Sequence, residues 1–273
     1  MRGTSHQKGE YPFAVSADAE GVSIIPLSAI ELNQPASSER VSFGVPTLDA
    51  MCAGGLLRKS VTMVAGPTGT GKSLIGAHFA TGDPDERTLV VAFEEGADQL
   101  RRNAAGWDLP FERMEAAGNL KIHAVYPESA GLEDHLIRLK KVTAAFQPRR
   151  VVIDSLSALE RIGSQRGFRE FLIALVARLK ELGTTTLMTA NTSNLQGGGI
   201  ASEAQVSSMT DTIILLRYAE EDSQIKRGLT VLKMRGSDQD KALREFTITN
   251  NGLAIGQPLA ASGGGSLLGL AET

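Results

Sequence analysis

The chain has 273 residues, 42% hydrophobic and 22% charged, enough apolar material for one large α/β domain or two small ones and too much for disorder over most of its length. Its 28 basic and 31 acidic side chains leave a formal charge of −3, so no field of the whole molecule gathers nucleic acid or an anionic bilayer, and only a local basic groove could do so. One cysteine, Cys52, rules out an internal disulfide and a multi-cysteine metal site, and the sequence shows neither an apolar leader near Met1 nor a long apolar run. The cytoplasm is therefore the expected compartment, with no role for a membrane.

In chain order, YPFAVS and GVSII read as two short strands and NQPASSER as a polar linker, with the main domain starting near Arg40. Short apolar runs then alternate with helical patterns. Strands are predicted at 60–65, 88–93, 120–125, 150–154 and 184–190, and helices at 72–81, 96–106, 131–146 and 167–182. This pattern predicts an α/β fold with a mostly parallel, helix-covered sheet. After residue 210 the runs TIILLRY, GLTVLKM, REFTIT and GLAIG follow one another closely, as antiparallel strands completing a sheet edge do. The tail ASGGGSLLGLAET carries no periodicity.

A repeat runs across these segments. Met1-Arg2-Gly3 recurs at Met234-Arg235-Gly236, with Lys8 matching Lys241 and Phe13 matching Phe246. The expectation is a tandem protein, with residues 1–26 the closing strands of a preceding domain, 27–40 a linker, 41–255 the main domain and 256–273 a tail.

The strongest chemical signal is Gly66-Pro67-Thr68-Gly69-Thr70-Gly71-Lys72-Ser73, which satisfies G-x-x-x-x-G-K-[ST] between the strand-like VTMVA and the helical LIGAHFA. Glycines let the backbone turn its N–H groups around phosphate oxygens, and the helix N-terminus adds its dipole. Thr68, Gly69, Thr70, Gly71, Lys72 and Ser73 are thus predicted to bind a nucleotide, with Lys72 reaching the β- and γ-phosphates and Ser73 offering its hydroxyl to Mg²⁺. Asp154 closes the apolar strand of RRVVID, where a Mg²⁺ ligand is needed beside a phosphate loop. Ser155 and Ser157 carry only a turn or capping reading.

Glu94 and Glu95 close the strand LVVAF, so their carboxylates should gather at the same sheet edge. They read equally as bases that orient water or a hydroxyl and as charges set against the dipole of the following helix. Asn191, Thr192 and Ser193 read as a polar turn that could sense the γ-phosphate. Lys233 and Arg235 fall two apart on one strand face, where they either protect an edge or reach a nucleotide on a neighbouring subunit.

Together GPTGTGKS, FEEGADQLRRNAAGWDLPFE, YPESAGLEDHL, VVIDSLSAL, ANTSN, SSMTDTIILLRY and KMRGSDQDKALREFTI resemble the KaiC family of RecA-like P-loop ATPases, in particular the second, kinase-bearing domain of its tandem members. The resemblance runs from Val41 to Ile255, and residues 1–40 are similar to the end of the family's first domain and its linker.

It implies a ring hexamer with ATP·Mg²⁺ at each subunit interface, with Glu94 as general base, Glu95 assisting, and Lys233 and Arg235 reaching the neighbour's ATP. The family's Ser-Thr phosphoacceptor pair falls on Ser207-Ser208, and Ser202 takes the place of a nearby hydroxyl linked to phosphate handling. It further implies serine/threonine autokinase as well as ATPase activity, and KaiB-like or other signalling partners through the first domain. The glycine-rich residues 256–273 depart from the tail with which the family engages KaiA, so an oscillating clock is not expected from the chain.

Two other classes compete. A recombinase of the RecA/RadA type needs basic and aromatic residues on its central loops, and NLQGGGIASEAQV at 194–206 has none. A nucleotide-gated scaffold with negligible turnover is the other, and a turnover assay separates it, since Glu94 and Glu95 predict measurable hydrolysis.

Overall fold

The apolar runs assemble into one nine-stranded sheet whose central strands are buried on both faces. The computed structural model describes residues 37–192, 209–221 and 224–259, with backbone alone at 13–15, 22–24 and 221. Strands β1 (Phe13–Val15) and β2 (Val22–Ile24) pair antiparallel, and β3 (Arg40–Val41) pairs antiparallel with β4 (Leu56–Leu57) across helix α1 (Pro46–Met51).

The core then runs β5 (Val61–Gly66), α2 (Lys72–Thr81), β6 (Thr88–Ala92), α3 (Ala97–Gly106), α4 (Phe111–Ala116), β7 (Leu120–Ala124), α5 (Leu132–Phe146), β8 (Arg150–Asp154), α6 (Leu156–Glu160), α7 (Gln165–Glu181) and β9 (Thr185–Asn191). It ends with β10 (Thr212–Glu221), β11 (Gln224–Met234), β12 (Arg244–Thr249) and β13 (Gly252–Pro258).

The strand order is β13-β12-β11-β10-β5-β9-β8-β6-β7. The six strands from β10 to β7 are mutually parallel, and β11, β12 and β13 continue antiparallel from β10. This is the predicted RecA-like α/β sheet with an antiparallel C-terminal edge. One detail departs from the expectation: TIILLRY, read as the first antiparallel strand, forms β10 parallel to β5, with Ile213 opposite Met63, and only from β11 onward does the sheet reverse.

Alternate residues of the parallel strands feed two cores. Val64, Val90, Val152 and Leu187 face α2, while Met63, Leu89, Val91, Val151, Ile153 and Met188 face α5, α6 and α7. Burial on both sides explains why these strands read as continuous apolar runs. Helix α2 lies so close that a Cβ on Gly76 would stand 3.1 Å from Val152 Cγ1. No helix among the described residues is long and apolar enough to cross a membrane.

The short helices α1, α4 and α6 escaped the periodicity reading because, at five or six residues each, they offer fewer than two turns for a 3.6-residue pattern to show.

Candidate nucleotide and phosphoryl-transfer site

Strand β5 delivers Gly66 to the C-terminal edge of the sheet, and the loop 67–71 turns into α2 there. The turn depends on Gly71, whose φ of +103° lies in the left-handed region and whose Cβ would meet Ile248 Cδ1 at 3.2 Å. Gly66 permits a second close approach: a Cβ there would fall 2.8 Å from Leu216 Cβ and from the Leu216 carbonyl oxygen. The loop is tied internally by Thr70 Oγ1, which donates to Pro67 O at 2.7 Å.

Lys72 is buried, and its ammonium donates to Gly66 O at 2.9 Å and Pro67 O at 2.8 Å. Burial pushes its pKa below the usual lysine value, opposed by the Asp154 and Glu94 carboxylates. A buried ammonium held by weak carbonyl acceptors, beside a loop that excludes a Cβ at Gly66 and Gly71, is suited to exchange those carbonyls for phosphate oxygens. The residues present therefore fit a nucleoside triphosphate. Ser73 follows Lys72 on α2 and lines one pocket with Asp154 and Glu95, so a Mg²⁺ ion accompanying the nucleotide would find Ser73 and Asp154 as its protein partners.

Asp154 ends β8, with its Oδ1 receiving the hydroxyl of buried Thr189 on the neighbouring β9. The amide of Phe93 donates to Asp154 O at 2.9 Å, which extends the β6–β8 pairing and presents Glu94 and Glu95 beside it.

The two glutamates are held differently. Glu94 is partly exposed; its Oε1 receives both terminal nitrogens of Arg161 at 3.1 Å, and its Oε2 receives Ser155 Oγ at 2.9 Å. Glu95 is half-buried, and its Oε2 receives Asn103 Nδ2 at 2.9 Å. Burial and then Asp154 raise the Glu95 carboxyl above the usual range, while Asn103 and Arg102 act against them. The sheet edge thus carries a clamped, charge-compensated carboxylate beside a half-buried one, over the lysine and the phosphate loop.

Asn191 and Thr192 stand at the same edge as structural ties: Asn191 N donates to Ser157 Oγ at 2.8 Å and Thr192 N to Gly66 O at 3.1 Å. Lys233 and Arg235 stand elsewhere. Lys233 lies opposite Ile213, which lies opposite Met63, and Arg235 N donates to Asp211 O while Asp211 N donates to Val61 O. Five residues of β5 separate Val61 from Gly66, about 17 Å along a strand. Both cations therefore sit at the end of the sheet away from this chain's own phosphate loop. Lys233 Nζ donates to Thr210 O at 2.9 Å, and Arg235 approaches Asp211 at 3.8 Å. Ser193, Ser202, Ser207, Ser208 and the segment 194–206 lie outside the described residues.

Residue-level reading of the sequence missed several members of this site. Arg161 and Ser155 fix Glu94, and Asn103 fixes Glu95. Tyr218, whose hydroxyl donates to Thr68 O at 3.2 Å, and Arg227, opposite Tyr218 on the β10–β11 ladder and 3.4 Å from Gly69 O, flank the loop. No spacing signals these residues, because each reaches the site across a strand pairing or a helix turn.

The family model described as "ATPase: KaiC" matches residues 41–260. The chain belongs to the KaiC family of ATPases. This KaiC-family chain is 49% identical over 259 residues to "Circadian clock protein KaiC3" of Synechocystis sp., covering 94% of this chain and 51% of that protein. It is 46% identical over 257 residues to "Circadian clock oscillator protein KaiC" of Thermostichus vulcanus, covering 93% and 49%, and 44% identical over the same length to the protein of that name from Picosynechococcus sp., again covering 93% and 49%. The chain spans about half the length of these curated relatives. As a KaiC-family member it is an ATP-binding protein with a RecA-like core.

Proposed function

We propose that this chain hydrolyses ATP and transfers its γ-phosphoryl group to Ser207 or Ser208, at interfaces between subunits of a homo-oligomer, most simply a ring hexamer. The observation that carries the reading is the Glu94 carboxylate, fixed by Ser155 and Arg161 beside Asp154 and the Lys72 loop. A carboxylate has about four lone-pair positions, so the hydrogen bond from Ser155 leaves Oε2 able to accept a further proton.

In the transfer step the serine oxygen attacks the γ-phosphorus in line, its proton passes to Glu94, and the bond from the γ-phosphorus to the β,γ-bridging oxygen breaks to release ADP. Water in place of serine gives hydrolysis at the same centre. Bound Mg²⁺ supplies charge neutralisation on the phosphates. Lys72 offsets the charge from within the subunit; Lys233 and Arg235, at the far end of their own sheet, do so for the neighbour's nucleotide. Residues 194–208 then carry the acceptor serines on the segment that follows β9. The cytoplasm is the matching compartment, and KaiB-like partners would engage a preceding domain.

The test is intact-mass spectrometry after incubation with ATP and Mg²⁺, followed by peptide mapping of 195–217. Phosphate on Ser207 or Ser208 is the expected result; ADP release with unchanged mass leaves an ATPase alone, and neither product leaves a nucleotide-binding scaffold. In the same assay Glu94→Gln should lose at least about a hundredfold in phosphorylation rate while still binding ATP, and phosphoserine at the wild-type rate would remove Glu94 from the mechanism.

A further inference from the structure

We infer that Asn103 is a positioning residue of the nucleotide site: through its side-chain amide it holds the Glu95 carboxylate over the pocket that Glu95 shares with Ser73 and Asp154. The inference rests on the phosphoryl-transfer reading above and assigns a residue that reading leaves out.

Asparagine is a poor choice for the interior of a helix such as α3, and this one does not cap the helix. Its Nδ2 donates to Glu95 Oε2 at 2.9 Å, and its Oδ1 receives Arg102 at 3.4 Å. The two partners fix the amide's orientation, because a guanidinium can only donate and a carboxylate can only accept. The pocket beneath is otherwise apolar, walled by Ala77, Val90, Leu100, Trp107 and Phe111, with Asp154 at the same opening.

Glu95 therefore feels two carboxylates, Asp154 and Glu94, and one cation, Arg102, whose guanidinium donates to Asn103. Repulsion from Asp154 and Glu94 drives the Glu95 side chain toward solvent. A neutral donor opposes that swing without adding a cation that would compete for the carboxylates around the nucleotide. Gly96, the N-cap residue before α3, gives no side-chain cap, so the Glu95–Asn103 bond also ties the exit of β6, and with it Glu94, to the body of α3.

The experiment is a double-mutant cycle on the whole chain with Asn103→Ala, Glu95→Ala and the pair. Alanine favours the helix more than asparagine does, so α3 is retained. With ATP and Mg²⁺, Asn103→Ala should lower kcat about tenfold with KM for ATP within about twofold, and should add nothing to the loss caused by Glu95→Ala.

A second readout needs no turnover. Trp107 is the chain's one tryptophan and lines this pocket, so its emission reports the carboxylate's placement. Asn103→Ala should shift that emission in the wild-type background and leave it unchanged in the Glu95→Ala background. Additive effects in either cycle, or a raised KM with unaltered kcat, would overturn the assignment. If the wild-type chain turns over no ATP, the proposed activity fails while the emission cycle still decides Asn103.

Discussion

Arg161 shows how a side chain with no motif can govern one with a motif. Glu94 stands among Asp154, Glu95 and the buried ammonium of Lys72, and its direction is set by the two nitrogens of Arg161 on one oxygen and Ser155 on the other. The Arg161–Glu94 pair is substantially exposed on both sides, so its removal should cost little stability. The cost should fall on geometry. Arg161→Ala is expected to reduce kcat for ATP by up to about a hundredfold while nucleotide affinity, read by a fluorescent ATP analogue, stays within a few-fold; an equal loss in affinity would instead make Arg161 a binding residue. The place of Glu94 at a strand end was legible, whereas its contact with Arg161 was not, because the sequence LERIG carries no sign that its arginine reaches the exit of β6.

Two contacts bind whole elements together. Strand β8 begins with Arg150, which is 2% exposed yet charged; it donates to Glu86 Oε2 at 2.8 Å, to Ser42 O at 2.8 Å and to Phe79 O at 3.1 Å, with its guanidinium 5.2 Å from the centre of the Phe79 ring. One side chain thereby joins the entry segment before α1, the end of α2 and the start of β6 at the edge opposite the nucleotide site. Burial works to raise the Glu86 carboxyl, and hydrogen bonds from Arg150 and Arg58 reverse this and hold it below its usual value. Arg150→Ala leaves a carboxylate with less compensation and should cost about 3 kcal/mol, measured by urea unfolding.

The second contact joins α2 to the edge hairpin. Buried His78 accepts the Leu253 amide at its Nε2, 3.0 Å away, and burial lowers its pKa. A histidine with a depressed folded-state pKa binds its proton more readily when unfolded, so its contribution is fully present above the unfolded value of about 6.5 and is lost as pH falls below it. The melting temperature of the wild type should therefore drop more steeply than that of His78→Gln between pH 7.5 and about pH 5.5. Parallel curves would show that His78 does not titrate in this interval.

For the whole molecule, the decisive feature is the separation of charges along the central strands. The phosphate loop lies at one end of β5; Arg235 is tied through Asp211 to Val61 at the other, about 17 Å away by strand rise, and Lys233, level with Met63, turns its ammonium toward that same end to meet Thr210 O. A subunit acting alone cannot bring them to its own nucleotide, so assembly should be a condition of full activity. Mixing two inactive variants tests this directly. Lys72→Ala lacks its own loop lysine, Lys233→Ala with Arg235→Ala lacks the cations proposed to act on a neighbour, and under the proposed assembly a mixed oligomer would contain interfaces that combine an intact loop with intact cations. Phosphorylation or ATP turnover should reappear on mixing and co-elute with the oligomer in size exclusion; no recovery would place both functions within one subunit.

The sequence by itself determined the placement of groups that are local along the chain. The glycine-lysine loop, Asp154 at a strand end and the Glu94-Glu95 pair are each a few residues long, and their backbone setting follows from the apolar runs beside them. It determined the sheet class for the same reason, since doubly buried parallel strands leave continuous Val, Ile and Leu runs. The tertiary structure alone decided which side chains from distant segments meet: Arg161 and Ser155 on Glu94, Asn103 on Glu95, Tyr218 beside Thr68, and the placement of Lys233 and Arg235 away from their own loop. Those meetings depend on strand order and register, which arise from packing both cores at once rather than from any local pattern.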